Sequence, residues 1–353
     1  MPIHRPKGQV KLKDALFPIF QPTTRLDFEL ETVVSHSKFT KSKPMISLLH
    51  DAQLSALRSQ IPTLVDATNM VALGGGLTNK NYRVDTEGGH FMMRVSDKTT
   101  SLLGINRANE RVNTERAHRA GVGAALVDAL PHENVLVVGW IEAKTLHAED
   151  IHARPDLLLR IADSMKKLHA GPAFQGDFHF PTVRKQYLQT VLDAGYFMPD
   201  RYLAIESLVL QLEEVLTLTA EELVPCNNDL LAENFMDDGK KIWIVDYEYA
   251  GQNEASFEIG NFASEIALND AQLTLFCDAY RQKHRTSKIA RAKAWSMIAR
   301  FGWVMWASIQ EAVSPIVFDF RTWGLKKWQS VLPEFEGNRY EGILKILKED
   351  AII

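Results

Sequence analysis

"CNNDLLAENF", residues 226–235, and "IWIVDYEYAG", residues 242–251, decide how this chain is read. The first places Asp229 five residues before Asn234, in a loop that follows a short apolar strand. The second ends an apolar run on Asp246. Phosphoryl transfer needs a base for the attacking hydroxyl, metal ions on the phosphates, and backbone donors over the phosphate chain. Asp229 suits the base. Asn234 offers a hard carbonyl oxygen for magnesium, and Asp246 a carboxylate able to bridge metal and phosphates. Each residue alone reads more readily as part of a turn, where Asn and Asp are common. All three in this order, each beside a strand end, point to a site.

The other parts lie upstream. "NMVALGGGLTNKNYRVDTEGGHFMMRVSD" (69–97) reads as strand, glycine loop, strand, Gly-Gly turn and strand. The loop "GGGLTNKN" (74–81) lets backbone approach phosphates closely, although the Walker A spacing is absent. On its own a glycine-rich hairpin turn explains it equally well. Arg94, in "FMMRVS", is the cation expected to reach the phosphates from the next strand. The helix predicted over 105–123 supplies Glu110 and Glu115 to orient it. Glu115 has Arg119 at i+4 and so a surface partner, which leaves Glu110 as the choice.

Composition bounds the classes. The chain has 353 residues, enough for two lobes, and is 46% hydrophobic and 24% charged, as an ordinary globular protein is. A net charge of −4 argues against a nucleic-acid partner. Two cysteines, Cys226 and Cys277, form neither a disulfide framework nor a zinc spacing, so a cytoplasmic protein is expected. The most apolar stretch, 294–309, is too short for a membrane span and contains Arg300.

A helix is predicted over 51–61 and a buried strand over 134–141, which completes a small sheet with one helix by about residue 140. Beyond it the patterns are helical (154–171, 201–217, and long runs between 254 and 312), interrupted by the two short strands that carry the acidic motifs. The expected class is α+β. Its parts are an extension of unknown role over 1–45, a nucleotide-binding lobe over 46–140, and a larger helical lobe over 141–353.

Five segments in order, "GGLTNKNYRV", "LGINRANERVN", "NDLLAENF", "VDYEYAGQNEASFEIGNFASE" and "WVMWASIQ", resemble the choline/ethanolamine kinase family. The bacterial choline kinase-like branch of the aminoglycoside phosphotransferase and protein-kinase-like superfamily looks most similar, and the likeness spans roughly residues 70–330. The resemblance implies a bilobal protein-kinase-like fold that uses ATP and Mg2+ to phosphorylate a small amino alcohol for phospholipid precursor metabolism. It makes Asp229 the catalytic base and Asn234 and Asp246 the metal ligands. Gly74, Gly75, Gly76, Leu77, Thr78 and Asn79 form the phosphate-covering loop, with Arg94 on the phosphates and Glu110 as its partner. Trp140, Ile141 and Glu142 fall in the inter-lobe hinge, "VGWIEAK" (138–144), whose backbone would hold adenine.

The chemistry of the acceptor points the same way. Choline carries a quaternary ammonium with no N–H to donate, so aromatic faces and nearby acids must hold it. Trp303 and Trp306 lie on one face of a helix, followed by Phe318 and Trp323, while Glu248, Tyr249 and Glu265 sit in the acidic segment. Plain core packing is the ordinary explanation of aromatics at helical spacing; the family pattern places both tryptophans and the aromatics at 318 and 323 in a choline cage. Two departures stand out. Asn227 replaces a usual His that fixes the base loop, and Asp270 stands where a tyrosine is frequent. The alternatives are another small-molecule kinase of the superfamily, for aminoglycosides or thiamine, and a pseudokinase-like binding protein, whose signature would be lost metal ligands. A homodimer is compatible with the sequence, which says little of oligomeric state.

Overall fold

Alternating apolar residues build the first sheet in the computed structural model, which describes residues 51–74, 76–96 and 102–352. The expectation for residues 1–45, and Gly75 of the glycine loop, lie outside the described residues. Five antiparallel strands, β1 (Asn69–Leu73), β2 (Asn79–Thr86), β3 (Gly89–Ser96), β4 (Leu126–Leu130) and β5 (Val135–Gly139), run in the order β1-β2-β3-β5-β4. Tyr82, Val84, Met93, Val135 and Val137 fill one face together with Ile61 and Leu64. Because strand side chains alternate, Arg94 points from the other face. There it meets α2 (Arg107–Arg119), whose Asn106 N-cap accepts from the backbone N–H groups of Ala108 and Asn109. A short helix, α1 (Asp51–Ser59), precedes the sheet and matches the sequence expectation.

Strand β4 has no counterpart in the sequence reading. "LVDAL" is short, half-buried throughout and broken by a register shift between Leu126 and Asp128, so it offers no clean period.

After Gly139 the chain turns helical: α3 (Ala148–Ala153), α4 (Pro155–His169), α5 (Phe180–Ala194), α6 (Tyr202–Leu218), α7 (Ala255–Glu265), α8 (Asp270–Arg281), α9 (Thr286–Val313), α10 (Phe320–Phe335) and α11 (Asn338–Asp350). Helix α9, about 40 Å long at 1.5 Å per residue, is the central post against which α5, α7, α10 and α11 pack. Gly260 permits the approach of α7, since a Cβ there would stand 2.3 Å from the Ala292 carbonyl oxygen on α9. Between α6 and α7 lie the short strands β7 (Leu223–Cys226), β8 (Phe235–Asp237), β9 (Ile242–Ile244) and β10 (Gly251–Glu254). Strand β7 pairs with β10, and β8 joins β9 and β6 (Lys144–Thr145). These ladders hold the ends of the two acidic segments in register. Among the described residues no helix is long and apolar enough to cross a membrane.

Candidate active site

The segment after β7 is held by side-chain amides. Asn228 has a left-handed backbone (φ 67), a conformation Asn tolerates better than most residues. Its amide donates to the Tyr249 carbonyl oxygen (3.0 Å) and accepts from Asn253 (2.9 Å). Its backbone N–H donates to Glu258 (2.8 Å), and its carbonyl accepts from Asn261 (3.1 Å). Asn227 donates to the carbonyl oxygens of Asp246 (2.7 Å) and Val245 (3.2 Å) and accepts from the Asp229 backbone N–H (3.0 Å). One neutral amide thereby ties the two acidic segments together.

Asp229 is half-buried, and among the described residues no hydrogen bond engages its carboxylate. Burial pushes its pKa well above the usual carboxylate range, with the charges of Glu248, Asp246 and Glu265 acting in the same direction and Lys327 opposing. Raised basicity and the absence of a competing hydrogen bond make the ionised carboxylate a stronger proton acceptor.

Asn234 lies beside it. Its amide nitrogen donates to the Asp229 carbonyl oxygen (2.6 Å), which leaves the side-chain oxygen unengaged among the described residues. The Val245 N–H donates to the Asn234 carbonyl (3.0 Å) and so brings Asp246 alongside. Asp246 also has a left-handed backbone, φ 61. Burial and Glu248 push its carboxyl up to about 7 against the pull of Arg94. Arg94 donates to Asp246 (2.9 Å) and pairs with Glu110. Arg107 bridges Glu110 (2.8 Å) and Glu248 (3.1 Å). Two guanidinium groups thus face three carboxylates, with Asp229 as a further negative charge. This surplus, with hard oxygens from Asn234 and Asp246, fits a divalent cation such as magnesium. Among the described residues the buried Nε atoms of Arg94 and Arg107 have no hydrogen-bond partner, donors suited to phosphate oxygens.

The glycine loop comes down onto the same cluster. Thr78 Oγ1 donates to Glu248 Oε1 (2.6 Å) and Asn79 Nδ2 to Glu248 Oε2 (2.9 Å). Ser96 steadies Asn79 (2.6 Å), and Gln310 on α9 donates to the Leu77 carbonyl (3.3 Å). Gly76 is required sterically, since a Cβ would stand 2.4 Å from the Asn79 carbonyl oxygen, whereas Gly74 has open space around it. Glu248, expected on substrate, is therefore engaged by the loop and by Arg107. At the other end of the sheet the Trp140 N–H donates to His90 (3.1 Å) and its indole N–H to Glu142 (3.0 Å). No hydrogen bond among the described residues engages the backbone of Ile141 or Glu142, which leaves an edge of peptide groups after β5.

The aromatic residues do converge. Trp303 and Trp306 are edge to face at 6.3 Å, Trp306 meets Trp323 at 5.4 Å, and Tyr249 stands edge-on to Trp303 at 5.8 Å. The indole N–H groups donate to Asn261 (2.8 Å) and the Tyr249 hydroxyl (2.9 Å). Phe318 is more open, 39% exposed, and packs on Phe320 (4.9 Å), an aromatic that the sequence reading passed over although it also touches Trp306 at 5.8 Å. Glu265 holds the Lys327 ammonium through both carboxylate oxygens at 2.7 Å, over the Trp323 ring. Lys327 was missed as well; its one local signal is the i, i+4 spacing to Trp323. Arg107 sits within a quoted motif but received no role. Asp270 is exposed at the start of α8, ion-paired with Arg339 (2.8 Å) and Lys293 (2.9 Å).

The chain is similar to known proteins over most of its length. A family model described as choline/ethanolamine kinase matches residues 70–331. A probable ethanolamine kinase of Arabidopsis thaliana is 26% identical over 283 residues, 70% of this chain and 74% of that protein. The crystal structure of a choline/ethanolamine kinase family protein from Mesorhizobium loti superposes with a TM-score of 0.75 at 27% identity, covering 84% of this chain and 99% of that one. The choline kinase LicA from Streptococcus pneumoniae has the same fold, with a TM-score of 0.69 at 21% identity over 81% of this chain and 99% of its own.

Proposed function

From the premise that the chain belongs to the choline/ethanolamine kinase family, and so is a phosphotransferase with an alcohol acceptor, we propose that it transfers the γ-phosphoryl group of ATP to the hydroxyl of choline, ethanolamine or a close relative. The single observation that carries the chemistry is the Asp229 carboxylate, unengaged and raised in basicity, beside the free oxygen of Asn234 and the Asp246 carboxylate. Asp229 takes the hydroxyl proton as the acceptor oxygen bonds to the γ-phosphorus, the bond from that phosphorus to the β–γ bridging oxygen breaks, and ADP leaves. Asn234 and Asp246 would hold magnesium, which when bound offsets phosphate charge.

In this reading the Arg94 guanidinium, oriented by Glu110, contacts phosphate, and the loop from Gly74 to Asn79 covers it. The free peptide edge at Ile141 and Glu142, beside Trp140, takes adenine. The nucleotide lobe would comprise residues 46–140 and the acceptor lobe 141–353. Trp303, Trp306 and Tyr249 offer aromatic surface to an ammonium group, with Phe318 at the rim, while the Trp323 ring is covered by the Lys327 ammonium. Both cysteines are buried free thiols, which supports a cytoplasmic setting.

The test is ADP release with magnesium and ATP against choline, ethanolamine, thiamine and an aminoglycoside. Turnover is expected with the first two, and Asp229→Asn should lower kcat by roughly 10²–10⁴-fold with nucleotide binding kept. Full activity of that variant sinks the base assignment. Turnover confined to thiamine or the aminoglycoside moves the acceptor to that class, and nucleotide binding with no turnover favours a pseudokinase.

A further inference from the structure

The carboxylates around Asp229 are unusually well occupied. Those whose charges bear on it are Glu248, Asp246 and Glu265. Glu248 accepts from Thr78 at one oxygen and from Asn79 and Arg107 at the other. Asp246 accepts from Arg94. Both oxygens of Glu265 are taken by Lys327 at 2.7 Å. The Lys327 ammonium lies 4.1 Å from the Trp323 ring centroid and the residue is only 9% exposed. The protein thus supplies its own cation to the acid and the ring that sequence analysis offered to the substrate.

What this leaves for an incoming head group is chiefly aromatic. The polar edges of Trp303 and Trp306 are spent on Asn261 and Tyr249. Asp229, the one carboxylate of the group with no hydrogen bond among the described residues, is needed by the hydroxyl. A primary ammonium brings three N–H donors and loses free energy wherever they go unmet on burial. A fully alkylated ammonium has none to satisfy and binds through aromatic faces.

We propose that Lys327, by capping Glu265, is the specificity-determining residue of the acceptor site and makes it prefer an alcohol with a fully alkylated ammonium over one with a primary ammonium. The proposal rests on the amino-alcohol kinase reading and specifies its substrate class.

Steady-state kinetics with choline and ethanolamine test it. The wild-type protein should favour choline in kcat/KM. Lys327→Met frees a carboxylate that accepts N–H bonds from ethanolamine alone, so the ratio should move toward ethanolamine by roughly tenfold or more, the worth of one charge-assisted hydrogen bond. The double variant Glu265→Gln, Lys327→Met should return the ratio toward wild type. A merely structural ion pair would lower both acceptors together and leave the ratio unmoved, which overturns the proposal, as does a wild-type preference for ethanolamine. Should Lys327→Met fail to fold, competition in the wild-type protein decides: tetramethylammonium should inhibit at a concentration roughly tenfold or more below methylammonium, and parity or the reverse order overturns the proposal. Turnover of neither amino alcohol overturns the parent reading and this proposal with it. Turnover of both, with ethanolamine favoured, overturns the proposal alone.

Discussion

Asn227 does with a short neutral side chain what a ring would otherwise do: it donates twice, to Val245 and Asp246, and accepts once, from Asp229. The residue is fully buried, so its own amide has no water to fall back on if a partner is lost. Asn227→Ala should cost about 1–3 kcal/mol of stability and lower kcat by about 10²-fold, because Asp229 and Asp246, the proposed base and metal ligand, lose their common tether. Urea titration and steady-state kinetics measure the two; an unchanged kcat would mean that Glu258 and Asn261 position the loop unaided. The sequence made the proposed site legible through Asp229, Asn234 and Asp246. It could not show that Asn227 faces the Asp246 carbonyl, since that contact spans 19 residues and depends on how two strands lie together.

Helix α7 serves two faces at once. Glu258 and Asn261, one turn apart, reach Asn228 in the segment after β7, while Gly260 between them lies against α9. A Cβ at Gly260 would meet the Ala292 carbonyl oxygen, the Ser296 nitrogen at 2.8 Å and the Trp295 side chain at 2.9 Å, two of them backbone atoms that cannot swing away. Gly260→Ala should therefore destabilise by about 1–3 kcal/mol even though alanine favours helix, and should displace Asn261 from Asn228. A thermal melt reads the first effect, and a fall in kcat beyond what stability explains reads the second; a rise in Tm would refute the close packing. The helices over 154–171 and 201–217 announced themselves by period, and so did the hairpin strands, whereas α5, α10 and α11 had no counterpart of their own in the sequence reading. Strand β4 did not, because a five-residue half-buried edge segment with a register shift carries too little pattern.

Across the described residues, the five-stranded sheet and the helical region meet at a cluster of acidic and basic side chains in which carboxylates outnumber guanidinium groups. The Asp246 carboxyl titrates near 3.8 ordinarily and about 7 in place, raised by burial and then by Glu248. The folded state thus binds this proton more tightly than the unfolded chain. Its stabilising contribution is full below about pH 4 and is lost as pH rises toward 7; Asp229 shifts in the same direction. Without metal or nucleotide, Tm should fall between pH 5 and pH 7, and Asp246→Asn should flatten that slope; an equal slope in the variant contradicts the assignment. By itself the sequence determined the α+β layout and the order of Asp229, Asn234 and Asp246, because hydrophobic period and motif spacing are properties of neighbouring residues. Only the tertiary structure decided which acids remain available. Glu248 is taken by Thr78 across 170 residues and Glu265 by Lys327 across 62, and such pairings follow from which elements pack face to face, which no local pattern encodes.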